Sequence, residues 1–168
     1  MAIRKILYLP DARLRTMAKP VETFDDSLHE LIEDMFETMY DARGVGLAAP
    51  QIGVSLRLSV IDVVGDKKNK MVIINPEIVH EEGEQEYEEG CLSVPGAYDT
   101  VVRSKKVTVR ALDRQGNQFE VTGEDLLAEC LQHEIDHLNG KLFVDLLSPL
   151  KRALARKKLD KFKRRQKS

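Results

Sequence analysis

Apolar positions along the chain change their period twice. Leu28, Leu31, Ile32, Met35, Phe36 and Met39 recur at three- and four-residue spacing, which predicts a helix over 25–42 capped by Asp25 or Asp26. His29 falls off that stripe and reads as solvent-facing. Leu127, Leu131 and Leu138, with Ile135 on the flank, predict a second helix over about 123–138. Thr122 and Asp125 offer it a capping box, and Asn139-Gly140 stops it. Leu150, Leu154 and Phe162 predict a third helix over 148–162, with Ser148 as cap and Pro149 in the first turn, fraying into 163–168. Between the first two helices the period falls to two. Segments 57–63, 71–75 with its continuation over 77–80, 105–113 and 118–121 read as strands, and 65–70 and 114–117 read as turns. Residues 1–24 form an irregular arm broken at Pro10 and Pro20, with a short helical turn in 11–17. The expected class is α+β: mostly antiparallel sheets around a central helix, with one more helix in the N-terminal half and another at the C-terminus.

Composition narrows this picture. A chain of 168 residues with 42% hydrophobic and 32% charged content suits one catalytic domain over 1–150. No apolar run reaches the roughly 18 residues that a membrane span needs. The segment MAIRKILYLP lacks the long apolar core and cleavage site of a signal peptide, so the expected location is the cytoplasm. There the two cysteines, Cys91 and Cys130, are expected as thiols. The net charge of −2 is unevenly spread: residues 151–168 carry ten Lys or Arg against one acid, Asp160. That basic helical extension suggests a polyanionic partner.

The central helix carries Gln132-His133-Glu134-Ile135-Asp136-His137, an H-E-x-x-H pattern. Residues four apart on a helix share a face, so two imidazoles can hold one metal while the intervening glutamate stays beside it. Ordinary core or surface histidines are the plain alternative. The usual downstream ligands are missing. Phe143 stands where the longer motif needs a third histidine, and no glutamate follows Glu134. The third ligand must therefore lie upstream. Cys91, after Glu89-Gly90 in a segment read as a loop between strands, is favoured. Cys130, one turn before His133, remains open, although a helix cysteine among leucines is more often a core residue. Two histidines and one cysteine leave a fourth position for water, the mark of a catalytic site. His80 reads as a surface residue. Gly44–Gly53 reads as a turn in which Gln51 is a stranded polar group, and it is not a phosphate loop.

GVGLAAPQ at 44–51, EGCLS at 89–93 and QHEIDH at 132–137 together resemble the three signature motifs of peptide deformylases, in order and separation. The likeness extends over 1–150, and the short 63–71 connection is similar to the class first described in Gram-negative organisms. The resemblance implies hydrolysis of N-formylmethionyl nascent peptides. A metal held by Cys91, His133 and His137 would activate a bound water, with Glu134 as general acid and base. The Gln51 amide and the Leu92 N–H would stabilise the oxyanion. Val45, Gly46 and the 126–133 helix face would line the substrate slot. It also implies Fe2+, with Zn2+, Ni2+ or Co2+ as substitutes, and docking of the basic C-terminal helix at the ribosome. Glu89 and Arg103 are either a supporting pair behind the site or a surface ion pair. Two rival readings remain: an H-E-x-x-H metallopeptidase, and a metal-stabilised RNA-binding module built around the basic tail.

Overall fold

A computed structural model describes residues 2–166. Helix α1 spans Asp26–Asp41 and is capped by Asp25, whose side chain accepts from Leu28 N. Strands β1 (Gly46–Ala48), β2 (Leu58–Ile61) and β3 (Met71–Glu82) follow, then β4 (Gln85–Cys91), β5 (Val94–Arg103), β6 (Lys106–Leu112) and β7 (Gln118–Glu124). Helix α2 spans Asp125–Leu138 and α3 spans Pro149–Gln166. Three short 3-10 turns lie at Ala12–Arg15, Ala49–Ile52 and Phe143–Leu146. Five strands form an antiparallel sheet in the order β1-β2-β3-β6-β7, and β4 and β5 form a separate two-stranded sheet.

Alternation along the strands decides where the helices sit, because successive residues of a strand face opposite sides. Val60 and Ile74 pack with Leu31, Ile32, Met35 and Met39 of α1. Their neighbours Ile61 and Ile73 pack with Ala128, Leu131 and Ile135 of α2. The two helices therefore cover opposite faces of the larger sheet, and the expected α+β architecture holds. Pro76 sits within β3, an interior strand, where its missing N–H is tolerated at a register shift between Ile74 and Glu77. The adjacent Asn75 side chain pins the N-terminal arm, accepting from Val21 N at 2.8 Å and donating to Val21 O at 3.0 Å.

Five local expectations change. The acidic segment before Cys91 is strand β4, so Cys91 ends a strand rather than sitting in a loop. Thr122 does not cap α2: it lies in β7, and its hydroxyl pairs with that of Thr108 at 2.9 Å. Gly44–Gly53 is more than a turn, since it contains β1 and the Ala49–Ile52 3-10 turn. Ser148 does cap α3, accepting from Lys151 N at 3.2 Å, but the helix continues through Gln166 instead of fraying. Lys167 and Ser168, the rest of the expected frayed end, lie outside the described residues. The buried face of α3 also differs, because Leu150 and Leu154 are exposed while Ala155 and Leu159 are buried. Those two join Val94, Ala97, Val101, Leu142 and Phe143 in a core that ties α3 to β5.

Candidate metal centre

His133 and His137 lie one turn apart on α2, both buried, with their Nε2 atoms 3.1 Å apart. Burial of Leu131 and Ile135 against the sheet fixes the rotation of α2 and turns the histidine face towards the end of β4. There Cys91 Sγ comes within 3.2 Å of His137 Nε2. One ligand atom from each of Cys91, His133 and His137 lies within 4.8 Å of the others. Atoms sharing one tetrahedral ion at metal–ligand distances of about 2.0–2.3 Å stand roughly 3.3–3.8 Å apart. Two imidazoles and a thiol at these separations fit a single divalent ion. The second cysteine goes elsewhere. Cys130 packs with Ile61 and Leu131 in the core under the sheet, and burial pushes its thiol up.

Glu89 and Arg103 are buried rather than superficial, and they stand directly behind His133. The Glu89 carboxylate accepts from His133 Nδ1 at 2.7 Å and from Arg103 Nε at 2.5 Å and Nη2 at 3.1 Å. Arg103 Nη1 also donates to Asp136 at 2.8 Å. Burial opposes ionisation of Glu89, but the bonds from His133 and Arg103 prevail and hold its carboxyl below the usual range. With Nδ1 engaged, His133 presents Nε2 to the ligand cluster.

Glu134 is 3% exposed, and its Oε1 has no hydrogen-bond partner among the described residues. Burial pushes its carboxyl up to about 7, an effect that neighbouring His133 moderates and Glu89 reinforces. A Cβ on Gly46 would overlap Glu134 Oε2, so β1 can come this close to the glutamate only as glycine. Gln51 is buried in the 3-10 turn after β1. Its Oε1 accepts from Ala48 N at 2.9 Å, and its Nε2 donates to Ser93 Oγ at 3.1 Å and lies 3.6 Å from Cys91 Sγ. These groups line one end of a cavity of about 530 Å³, together with Val45 and Leu92. Of the eight residues expected from the sequence, Val45, Gly46, Gln51, Cys91, Leu92, His133 and Glu134 line this cleft, and His137 joins them through its contacts with Cys91 and His133. His29 and His80 lie apart from it: His29 is half-buried against Arg114 O, and His80 is exposed beside Glu82.

Two contributors, Tyr98 and Phe162, are absent from the sequence reading of the site, and a third, Glu129, is there only as part of the 126–133 helix face. Glu129 lines the cavity one turn before His133, and burial, reinforced by the facing Glu89, pushes its carboxyl up to about 7. Its spacing from His133 was a usable signal, because a charge at i−4 on a buried face must meet the same surroundings. Tyr98 and Phe162 also line the cavity, but from β5 and the end of α3. No local pattern joins those two positions to the motif.

A buried glutamate between two histidines on one helix face, with a thiol from a neighbouring strand and a cleft opening onto all of them, defines a metallohydrolase of the H-E-x-x-H class. Residues 3–153 match the family model described as polypeptide deformylase. A peptide deformylase of Pseudomonas aeruginosa is 59% identical over 167 residues, covering 99% of each chain. The crystal structure of a peptide deformylase from Legionella pneumophila matches with a TM-score of 0.97 at 81% identity over 98% of each chain. A peptide deformylase of Ehrlichia chaffeensis in complex with actinonin matches with a TM-score of 0.90 at 40% identity, covering 100% of each chain. The chain belongs to the polypeptide deformylase family, metal-dependent hydrolases that remove the N-formyl group from nascent polypeptides.

Proposed function

We propose that this chain hydrolyses the formyl amide of N-formylmethionyl nascent peptides at a metal held by Cys91, His133 and His137. The observation that carries the assignment is the convergence of Cys91 Sγ with the two Nε2 atoms beside the unpartnered Glu134 Oε1. A divalent ion in that position supplies Lewis acidity towards water and towards the formyl carbonyl. Glu134 takes a proton from the attacking water at Oε1 and delivers it to the departing methionine nitrogen, so that formate and a free amine leave. Gln51 Nε2, held beside Cys91 through Ala48 and Ser93, and the Leu92 backbone N–H donate to the oxyanion of the tetrahedral carbon. Val45 and Gly46 form one wall of the slot, and Glu129 and Cys130 form part of another. The cleft opening onto the ligands favours this reading over a closed, purely structural metal site in an RNA-binding module.

Formate release from formyl-Met-Ala-Ser, measured beside its acetyl analogue, tests the assignment. Turnover of the formyl peptide alone is expected. Comparable turnover of the acetyl peptide, or cleavage of an internal bond, would establish a metallopeptidase instead. Glu134→Gln should lower kcat by about 10²–10⁴ with metal content unchanged.

The native ion we assign is Fe2+, on the family resemblance, with Zn2+, Ni2+ or Co2+ as substitutes, although a Cys-His-His set accepts zinc equally well. Peroxide should abolish the activity of the iron-loaded protein and spare the zinc-loaded one, and an iron-loaded sample indifferent to peroxide would exclude iron. Residues 1–150 form the catalytic domain in this reading, and 151–168 form a basic extension that docks at the ribosome in the cytoplasm. No helix among the described residues is long and apolar enough to cross a membrane. Lys157, Lys161 and Arg164 are exposed along α3. Changing all three to Glu should reduce co-sedimentation with ribosomes while tripeptide turnover persists. Unchanged co-sedimentation would remove α3 from the docking surface.

A further inference from the structure

Asp62, the residue after β2, carries a buried carboxylate that takes no part in the chemistry proposed above. Its Oδ2 accepts from the Tyr40 hydroxyl at 2.6 Å and from Lys67 N at 3.0 Å, and its Oδ1 accepts from Gly65 N at 2.8 Å. Its own backbone N–H donates to Val45 O at 2.8 Å. One residue thus joins the last turn of α1, the turn after β2 and the wall of the slot. Tyr40 is held in its turn. Its ring stacks on Phe36, with centroids 6.1 Å apart and planes at 18°, and Lys67 Nζ lies 5.1 Å from its centroid. Only Ala42-Arg43-Gly44-Val45 separates α1 from β1, and Gly44 N donates back to Met39 O at 2.9 Å. β1 needs this support, because it is a three-residue strand at the edge of the larger sheet, with β2 as its one sheet neighbour. It also has little room to move. A Cβ on Gly46 would overlap Glu134 Oε2, and one on Gly44 would stand 2.8 Å from Leu92 Cδ1. A small shift of Val45 and Gly46 therefore either closes the slot against Glu134 or widens it.

We propose that Tyr40 and Asp62 are positioning residues for the peptide substrate: through the bond from Asp62 N to Val45 O they hold the wall formed by Val45 and Gly46 at its working distance from Glu134. The inference rests on the formyl-peptide reading above. Neither Tyr40 nor Asp62 is part of the cleft lining, so both act through the backbone of Val45. The Tyr40 hydroxyl is the bond that ties Asp62 to α1, since the other partners of the carboxylate are N–H groups of the turn that follows it. Without that bond the end of β2 is released from α1, and Val45 moves with it. The wall touches the substrate before and during the reaction alike, so its displacement weakens binding more than it slows the chemical step.

The experiment measures kcat and KM for formyl-Met-Ala-Ser in the full-length protein and in Tyr40→Phe, Asp62→Ala, their double variant and Asp34→Asn, each at a temperature where thermal melting shows it folded. Asp34→Asn is the control: Asp34 is buried on the same helix but clamps Arg4 of the N-terminal arm, away from the slot. Tyr40→Phe should raise KM about three- to tenfold, well inside the roughly hundredfold that a misplacement of about 1 Å can cost. Its kcat should stay within about twofold of wild type, with metal content unchanged. Asp62→Ala should raise KM at least as much, and adding Tyr40→Phe to it should change nothing further, because the two residues act through one bond. Asp34→Asn should lower the melting temperature and keep the wild-type KM. Tyr40→Phe and Asp34→Asn decide the question by themselves should Asp62→Ala fold poorly. A wild-type KM in Tyr40→Phe would overturn the proposal. So would an equal rise in Asp34→Asn, which would mark general destabilisation, or additive effects in the double variant, which would uncouple Tyr40 from Asp62. Absence of formate from formyl-Met-Ala-Ser with the wild-type protein would instead sink the formyl-peptide reading, and this inference with it.

Discussion

Glu89 accepts a hydrogen bond from His133 Nδ1 at 2.7 Å, and this bond decides which nitrogen of the imidazole faces Cys91 and His137. The same carboxylate is clamped by Arg103, which also holds Asp136. His133 is therefore oriented by a buried ionic chain running from β4 through β5 and back to α2.

Removing the charge of Glu89 while keeping its shape should loosen that orientation. Glu89→Gln is expected to lower metal affinity by about 10–100-fold, the usual cost of losing a partner behind a ligand. Competition with a chelator of known affinity measures it. Arg103 keeps its bond to Asp136 in the variant, so the fold should survive. Wild-type affinity would show that packing alone holds the ring.

The revised face of α3 makes a stability prediction. Leu159 is fully buried among Val94, Ala97, Val101 and Phe143, whereas Leu154 is 48% exposed. Leu159→Ala should cost about 2–5 kcal/mol in urea unfolding, as buried leucine truncations do. Leu154→Ala should stay within about 0.5 kcal/mol of wild type. The opposite ranking would restore the face expected from the sequence.

Asp62 links stability to pH. Burial opposes its ionisation. The Tyr40 hydroxyl at 2.6 Å and backbone N–H groups of Gly65, Lys67 and Val64 outweigh that and hold the carboxyl below its usual value. A depressed carboxyl stabilises the fold fully above its unfolded pKa of about 3.9, and that contribution is lost as pH falls through the folded value. Urea midpoints should therefore fall more steeply below about pH 4 in wild type than in Asp62→Asn. Parallel curves would mean that the ion contributes nothing.

What could be read from the sequence was what depends on spacing along one element. The α1 stripe, the α2 helix and the pairing of His133 with His137 follow from a 3.6-residue period. The segment leading to Cys91 did not read as a strand because Glu86, Glu88 and Glu89 offer no apolar alternation. Its strand character comes from pairing with β5, as in Tyr87 with Val101. For the same reason the choice between Cys91 and Cys130 stayed open: it depends on how β4 docks against α2. The buried stripe of α3 differs from the expected one because charges surround the helix on nearly every side. Only contact with β5 distinguishes the face bearing Ala155 and Leu159 from the one bearing Leu150 and Leu154. Phe162 and Tyr98 meet through the packing of α3 on β5, which no run of neighbouring residues encodes.

In the proposed centre Cys91, rather than Cys130, is the third ligand beside His133 and His137. Metal bound per chain, measured by elemental analysis after dialysis on wild type, Cys91→Ala and Cys130→Ala, tests it most directly. One metal per chain is expected in wild type and in Cys130→Ala, and little or none in Cys91→Ala. Retention of metal by Cys91→Ala, or its loss from a folded Cys130→Ala alone, would contradict the site as described.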